Sequence, residues 1–161
     1  MEFKKSLKAI SVKEAIKKMA AFCAYQERSQ EEVRQKMYKE YSLDEEAVEF
    51  VIAELIGQNF INEERFAKTF ASSKFRLKKW GKIKIKQALR QHHLSEYCLR
   101  QALAEIPDEA YEETLRILLE KKNKQIKDAN LLKRKQKLLQ YVSTKGYEMD
   151  ISIELIRELL S

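Results

Sequence analysis

The chain has 161 residues, of which 44% are hydrophobic, so it has enough apolar material for a folded core and is not wholly disordered. Its formal charge of +7, from 32 basic and 25 acidic residues, favours polyanionic partners. Three glycines and one proline are too few for a protein built from tight β-turns, so the composition predicts an all-α fold with no β-sheet.

The predicted elements follow one another as a lead and three helical units. Residues 1–11 are predicted to be a flexible lead, followed by repeat 1 at 12–61, the central basic repeat 2 at 62–107 and repeat 3 at 108–161. Each unit contains an apolar helix, a charged helix, a turn and a strongly apolar helix, which gives nine main helices. Three such units in series predict an elongated array of tandem three-helix repeats.

The repeat is clearest in the third helix of each unit, where apolar residues recur at i, i+4, i+5 and i+8. The three sets are Ala47, Val51, Ile52 and Leu55; Cys98, Ala102, Leu103 and Ile106; and Ile151, Leu155, Ile156 and Leu159. The second helices also align, with Val33 and Met37, Ile85 and Leu89, and Leu138 and Val142. This spacing puts each set on one face of a helix, which predicts that these residues are buried.

Helix boundaries are predicted from capping residues. Asp44, Ser95 and Asp150 stand where N-caps of the third helices are expected, and Ser29 with Glu32 resembles a capping box. Helix breaks are expected near Gly57, Gly81, Gly146 and Pro107. The highly charged stretch 121–130 is consistent with either an exposed helix extension or a linker.

A run of basic residues marks the central unit. From Arg65 to Ser95 the chain has no Asp or Glu. The candidate binding residues are Lys74, Arg76, Lys78, Lys79, Trp80, Lys82, Lys84 and Lys86. So many cations cannot all enter a core, and a solvated face is the usual place for such a run. The lack of nearby acids makes contact with a polyanion an equally weighted alternative. Trp80 is expected to pack between helices or to anchor a partner, with packing the favoured role.

No catalytic or metal-binding motif stands out. His92 and His93 are adjacent and point about 100° apart on a helix, which disfavours shared ligation of one ion. Cys23 and Cys98 fall at apolar helical positions and are predicted to be buried thiols. We therefore predict no catalytic residue, no metal and no cofactor. Without a membrane-spanning run or a signal-peptide core, the chain is predicted to be cytoplasmic, with no membrane contact.

One string in the central unit is more specific than helical periodicity. The stretch RFAKTFASSKFRLKKWGKIKI, preceded by QNFINEERF and followed by KQALRQHHLSE, resembles the central motif of the RecX family. RSQEEVRQKMYKEYSLDEEAVEFVIAEL resembles the family's first repeat, and the likeness extends over residues 12–160. The matched motif residues are Arg65, Phe66, Ala67, Phe70, Lys74, Trp80, Gly81 and Ile85. Phe66, Ala67 and Phe70 are expected in the core. The sequence departs at His92–His93, where many relatives have a lysine-glycine turn.

The resemblance implies a regulatory protein that binds in the groove of the RecA–DNA filament. It would restrain RecA's ATP hydrolysis, strand exchange and co-protease activity, and so regulate recombination, DNA repair and the SOS response. The expected form is a monomer that binds single- or double-stranded DNA weakly by itself. The alternatives are a basic helical-repeat DNA-binding protein that acts independently of RecA, and a helical adaptor for another protein.

Overall fold

The computed structural model describes residues 6–161, which form nine α-helices and no β-strand. The helices are α1 (Val12–Tyr25), α2 (Gln30–Glu40), α3 (Glu45–Gly57), α4 (Glu63–Lys78), α5 (Lys82–Arg90), α6 (Glu96–Ala104), α7 (Asp108–Gln125), α8 (Leu131–Thr144) and α9 (Met149–Leu159). The predicted all-α fold is confirmed over this range.

The described part of the predicted lead is joined to the end of α2. The Lys8 amide donates to the carbonyl oxygen of Glu40 at 3.1 Å, and the Ser42 amide donates to the carbonyl oxygen of Lys8 at 2.8 Å. These bonds form an isolated parallel bridge with Tyr41. Residues 1–5 of the lead lie outside the described part of the chain.

The helices pack in three groups that follow chain order. Helices α1 and α2 contact α3; α4, α5 and α6 contact one another; and α7, α8 and α9 do the same. The predicted positions in the second helices are all fully buried: Val33, Met37, Ile85, Leu89, Leu138 and Val142. The limits of the units at 61/62 and 107/108 stay predictions.

The hydrophobic core is divided unevenly among the three groups. Residues of α1–α3 form one apolar cluster, which includes Met19, Met37 and Leu55. Residues of α4–α9 form a second cluster, which runs without a break from Phe66 to Ile156. The second and third groups therefore share a core, whereas the first has its own.

The third helices bury one position that the apolar spacing misses. Val48, Leu99 and Ser152 are all buried, each directly after the first residue of a predicted set. Serine is polar and so carries no apolar signal in the sequence. Ser152 can be buried because its hydroxyl donates to the carbonyl oxygen of Glu148 at 2.7 Å. Eight of the predicted residues are buried and four are only half-buried: Ala47, Leu103, Ile151 and Leu159.

Two of the three predicted N-caps of the third helices are confirmed. Asp44 accepts from the Ala47 amide at 2.8 Å, and Ser95 accepts from the Cys98 amide at 3.2 Å. The prediction for Asp150 is wrong, because α9 begins two residues earlier with Glu148 at its N-cap. The Glu148 side chain is engaged by Tyr111, and this contact helps to fix the start of the helix upstream of Asp150.

The charged stretch 121–130 contains both structures that its sequence left open. Helix α7 continues to Gln125, and a short link then leads to Asn130, whose side chain caps α8. Arg134 fixes this link by donating to the carbonyl oxygens of Asn123, Ile126 and Asp128 at 2.8, 3.1 and 2.8 Å. The link is therefore an ordered loop.

Cys23 and Cys98 are free and buried, as predicted. Burial raises the pKa of the Cys23 thiol to about 11. Within residues 6–161, no helix has the length and apolar character needed to cross a membrane.

Candidate nucleic-acid interface

The basic segment covers the end of α4, the link to α5 and α5 itself. Helix α4 ends at Lys78 and is followed by the C-cap residue Lys79, whose backbone is left-handed with a φ of 58°. The amides of Lys79 and Trp80 donate to the carbonyl oxygens of Phe75 and Lys74 at 3.0 and 3.2 Å. This pair of bonds closes the helix in the geometry usually formed with glycine, so the turn is well defined although it contains a lysine.

Trp80 is surrounded by cations and packs against the core. Its side chain is half-buried against the α4–α9 cluster, which agrees with the favoured packing role. The ammonium groups of Lys74 and Lys84 lie 5.0 and 4.6 Å from the centre of its ring. The indole therefore positions two ammonium groups through cation–π contacts, and we call Lys74, Trp80 and Lys84 the Trp80 cluster.

Most of the candidate cations have no carboxylate partner. Among residues 6–161, no Asp or Glu oxygen lies within 4.0 Å of the cationic groups of Lys74, Arg76, Lys78, Lys79, Lys84 or Lys86. Lys82 is different: its ammonium lies 3.7 Å from Asp108 and 4.8 Å from the centre of the Tyr111 ring. The segment thus carries concentrated positive charge that is open to an anionic ligand.

Gly81 packs directly on the loop between α8 and α9. Its amide donates to the carbonyl oxygen of Lys145 at 2.8 Å, and the Ile83 amide donates to that of Gly146 at 3.0 Å. A Cβ on Gly81 would lie 2.3 Å from the backbone of Gly146, and a Cβ on Gly146 would lie 2.3 Å from Lys84. Both glycines are therefore required by this close approach. We call the contact between the α4–α5 link and the third unit the Gly81 joint.

Two buried tyrosines complete the Gly81 joint. The Tyr111 hydroxyl donates to Glu148 at 2.5 Å and accepts from the Lys82 amide at 3.0 Å, and the Tyr147 hydroxyl donates to the carbonyl oxygen of Lys79 at 2.9 Å. Burial, followed by the hydrogen bond to Glu148, raises the pKa of Tyr111 far above its ordinary value. The phenol therefore stays protonated and is held as a donor to Glu148.

The other end of the central unit contacts the first unit through polar groups. Arg65 donates to Glu27 at 2.5 Å and to the carbonyl oxygen of Asn59 at 3.0 Å. Ser29, fully buried, caps α2 by accepting from the Glu32 amide, and its hydroxyl lies 2.8 Å from Nδ1 of His92. We call this contact the His92 joint. The motif residue Arg65 therefore lies at this joint and not in the Trp80 cluster.

His92 and His93 form the turn after α5, and His92 packs against aromatic rings of α4. Its ring lies 4.8 and 5.8 Å from the rings of Phe66 and Phe70. Burial lowers the pKa of His92, partly opposed by the charge of Glu32. His93 takes the left-handed conformation, with a φ of 56°. The turn between α5 and α6 thus accommodates two histidines, with His93 in the left-handed conformation that favours glycine.

The predicted site residues separate into three places. Lys74, Trp80 and Lys84 come together, Gly81 forms a joint with the third unit, and Arg65 forms one with the first. Phe66, Ala67 and Ile85 are buried as expected, while Phe70 is half-buried. The sequence reasoning missed Tyr111 and Glu27, because their partners are 37 and 38 residues away. Among the described residues, no cluster of three or more His, Cys, Asp or Glu side chains is arranged to hold a metal ion.

Two RecX family models match the central and third units. Residues 62–103 match the family's second three-helix domain, and residues 109–159 match its third. The chain is also similar to solved structures. It aligns with the crystal structure of RecX from Lactobacillus salivarius with a TM-score of 0.83 at 23% identity, covering 92% of this chain and 96% of that one. A second crystal structure, of a regulatory protein RecX, aligns with a TM-score of 0.82 at 25% identity, covering 91% of this chain and 71% of that one.

Curated relatives agree with the family models. Regulatory protein RecX of Clostridioides difficile (strain 630) is 27% identical over 86% of this chain and 64% of the relative. That of Clostridium perfringens (strain 13 / Type A) is 31% identical over 82% of this chain and 62% of the relative. The chain therefore spans between about half and two thirds of the length of the curated relatives it matches. The family is a non-enzyme one, in agreement with the predicted lack of catalysis. Because the two family models together match more than half of its residues, the chain belongs to the RecX family.

Proposed function

We propose that this protein binds the RecA–DNA filament and inhibits RecA, using the basic segment 74–86 as a contact surface. The observation that carries the proposal is the set of unpaired ammonium groups around Trp80, in the part of the chain that resembles the family motif most closely. The ligands that such groups suit are DNA phosphates and acidic surface of RecA. The proposed place of action is the cytoplasm, and the proposed form is a monomer.

The proposed mechanism is occupancy of a surface rather than chemistry. The backbone of the segment is attached to the third unit at Gly81 and Ile83, so binding would cost little backbone conformational freedom. A ligand of this kind inhibits if it has a higher affinity for one state of the filament than for another, or if it blocks access to the groove. No cofactor is needed.

The test is RecA's hydrolysis of ATP on single-stranded DNA as the protein is titrated from far below to equal stoichiometry. The variant Lys74→Glu, Lys78→Glu, Lys86→Glu changes one ammonium group of the Trp80 cluster and two further lysines of the segment, and none of the three side chains takes part in the Gly81 joint. The matched control, Lys13→Glu, Lys17→Glu, Lys18→Glu, makes the same charge change on the exposed face of α1. We expect the control to inhibit as the unmodified protein does and the segment variant to need at least tenfold more protein.

Equal inhibition by both variants would contradict the proposed role of the basic segment in binding the filament. DNA binding by the protein alone is measured in parallel, at several salt concentrations. If the protein binds bare DNA but leaves RecA unaffected, independent DNA binding becomes the better function. If it responds to neither, an adaptor for another protein is the better account.

A further inference from the structure

The third unit contains a second aromatic ring flanked by lysines. The ammonium groups of Lys122 and Lys145 lie 5.0 and 6.0 Å from the centre of the Tyr141 ring. In the Trp80 cluster, Lys74 and Lys84 lie at similar distances from the indole. The same arrangement of one ring and two cations thus occurs in the central and the third unit.

Tyr141 lies in an open cleft between the end of α7 and α8. The cleft has a volume of about 450 Å³, and its lining includes Lys122, Lys127, Lys137, Gln140 and Thr144. No carboxylate is among the residues that line it. Within residues 6–161, the one carboxylate within 4.0 Å of a cleft lysine is that of Asp128, 3.7 Å from Lys137, which leaves most of the positive charge of the cleft uncompensated.

One wall of the cleft is held by hydrogen bonds, and the cleft adjoins the basic segment. Arg134 fixes the loop that carries Ile126 and Lys127 through four hydrogen bonds of 2.7–3.1 Å. The Lys145 ammonium, one of the two over Tyr141, also donates to the carbonyl oxygen of Lys78 at 3.3 Å. Lys145 therefore contacts both the ring in the cleft and the backbone of the basic segment, so the two groups of lysines adjoin one another.

We propose that the α7–α8 cleft is a second phosphate-binding site for the nucleic-acid strand that contacts the Trp80 cluster. Lys122, Lys127 and Lys137 bind backbone phosphates, and Gln140 and Thr144 supply further hydrogen-bonding groups. A nucleic-acid strand is the occupant because the two lysine clusters adjoin one another and one extended polyanion can neutralise both. The inference rests on the proposed function for its partner, DNA, but not on the inhibition of RecA.

The test is the binding of an oligo-dT strand by the full chain without RecA, followed by fluorescence anisotropy across a range of salt concentrations. The variant Lys122→Gln, Lys127→Gln, Lys137→Gln removes the three lysines of the cleft. The control Lys13→Gln, Lys17→Gln, Lys18→Gln removes three exposed lysines of α1. Circular dichroism establishes that both variants keep the helical content of the unmodified protein.

We expect the cleft variant to bind at least tenfold more weakly than the control at moderate salt. The plot of the logarithm of affinity against the logarithm of salt concentration has a negative slope, whose magnitude should decrease by about 2, since each lost phosphate contact on a single strand removes about 0.7. A methylphosphonate strand, which has a neutral backbone, should bind the cleft variant and the control equally. A cleft variant that matches the α1 control on the natural strand overturns the proposal.

The same variants assayed against RecA separate the two proposals. Loss of DNA affinity in the cleft variant, with no inhibition of RecA by the unmodified protein, keeps the second site and rejects the filament function. Inhibition of RecA by an unmodified protein that shows no affinity for oligo-dT rejects the second site and keeps the filament function.

Discussion

The two joints of the central unit differ in chemistry. At the Gly81 joint, backbone meets backbone and the hydrophobic core continues into the third unit. At the His92 joint, the contacts are an ion pair, a serine hydroxyl and a half-buried imidazole, and the core is interrupted. A shared apolar core couples the folding of its parts more strongly than a few polar contacts do. The second and third units should therefore unfold together, and the first should be able to unfold or reorient separately.

The largest effect on stability is expected from Gly81→Ala, which disrupts the Gly81 joint. The new Cβ would overlap the Gly146 backbone, so we expect a loss of about 2–3 kcal/mol in the free energy of unfolding, measured with urea. Gly57→Ala is the control, because a Cβ there meets nothing within 4 Å and the helix should be unchanged or stabilised. Equal stability of the two variants would mean that the close approach does not hold the joint.

A smaller loss is expected from Tyr111→Phe. The change removes the hydroxyl between Glu148 and the Lys82 amide while keeping the ring, which should cost about 1–2 kcal/mol in the free energy of unfolding. Tyr97→Phe, at an exposed tyrosine, should change stability by less than about 0.5 kcal/mol. Thermal unfolding followed by circular dichroism compares them, and a Tyr111→Phe protein as stable as the control would contradict the role of this hydroxyl.

Arg65→Gln tests the weaker joint and its independence from the other. The ion pair with Glu27 is partly exposed to solvent, so we expect a loss of only about 1 kcal/mol. The effect should be confined to the first unit and its boundary. The only tryptophan, Trp80, lies at the Gly81 joint and so reports the second and third units. Arg65→Gln should shift the helical transition seen by circular dichroism more than the fluorescence transition. Identical shifts of both signals would show that the molecule unfolds as one unit.

The smallest effect is a pH dependence of the His92 joint. Burial lowers the pKa of His92, so the unfolded chain binds its proton more readily and the free energy of unfolding falls as pH decreases through and below the ordinary histidine range. Glu31, Glu32 and His93 are the other charged groups that act on it. Glu63 titrates with the opposite sign, because burial raises its pKa. His92→Gln should flatten the dependence between about pH 7.5 and 5.5. His93→Gln, which removes one of the charges that act on His92, should change the dependence less.

The sequence predicts the helices and their buried faces because both depend on neighbours within one turn or two. Val33, Ile85 and Leu138 are examples: their spacing on a helix is sufficient to identify them. The joints depend instead on pairs distant in sequence. Gly81 is visible as a residue near a helix boundary, but the sequence does not reveal its contact with Gly146. Asp150 is a residue type that is common at N-caps, yet the N-cap of α9 is Glu148, whose side chain accepts a hydrogen bond from Tyr111.

The candidate site could be predicted only in part for the same reason. The run of lysines and the string around Trp80 indicate a binding segment. The pairing of Lys84 with Lys74 over the indole, and of Lys122 with Lys145 over Tyr141, arises from the folding of separate helices. Arg65 belongs to the matched motif, but it binds Glu27 and so lies at the His92 joint instead of the binding segment.

The burial of both cysteines has a practical consequence for measuring motion between units. Cys23 and Cys98 are shielded from reagents, and the raised pKa of Cys23 keeps its thiol in the unreactive protonated form at neutral pH. A pair of exposed cysteines introduced at Lys17 and Gln87 can therefore carry fluorescent dyes while the native thiols remain in place. Energy transfer between the dyes would report the distance across the His92 joint in the absence and in the presence of DNA.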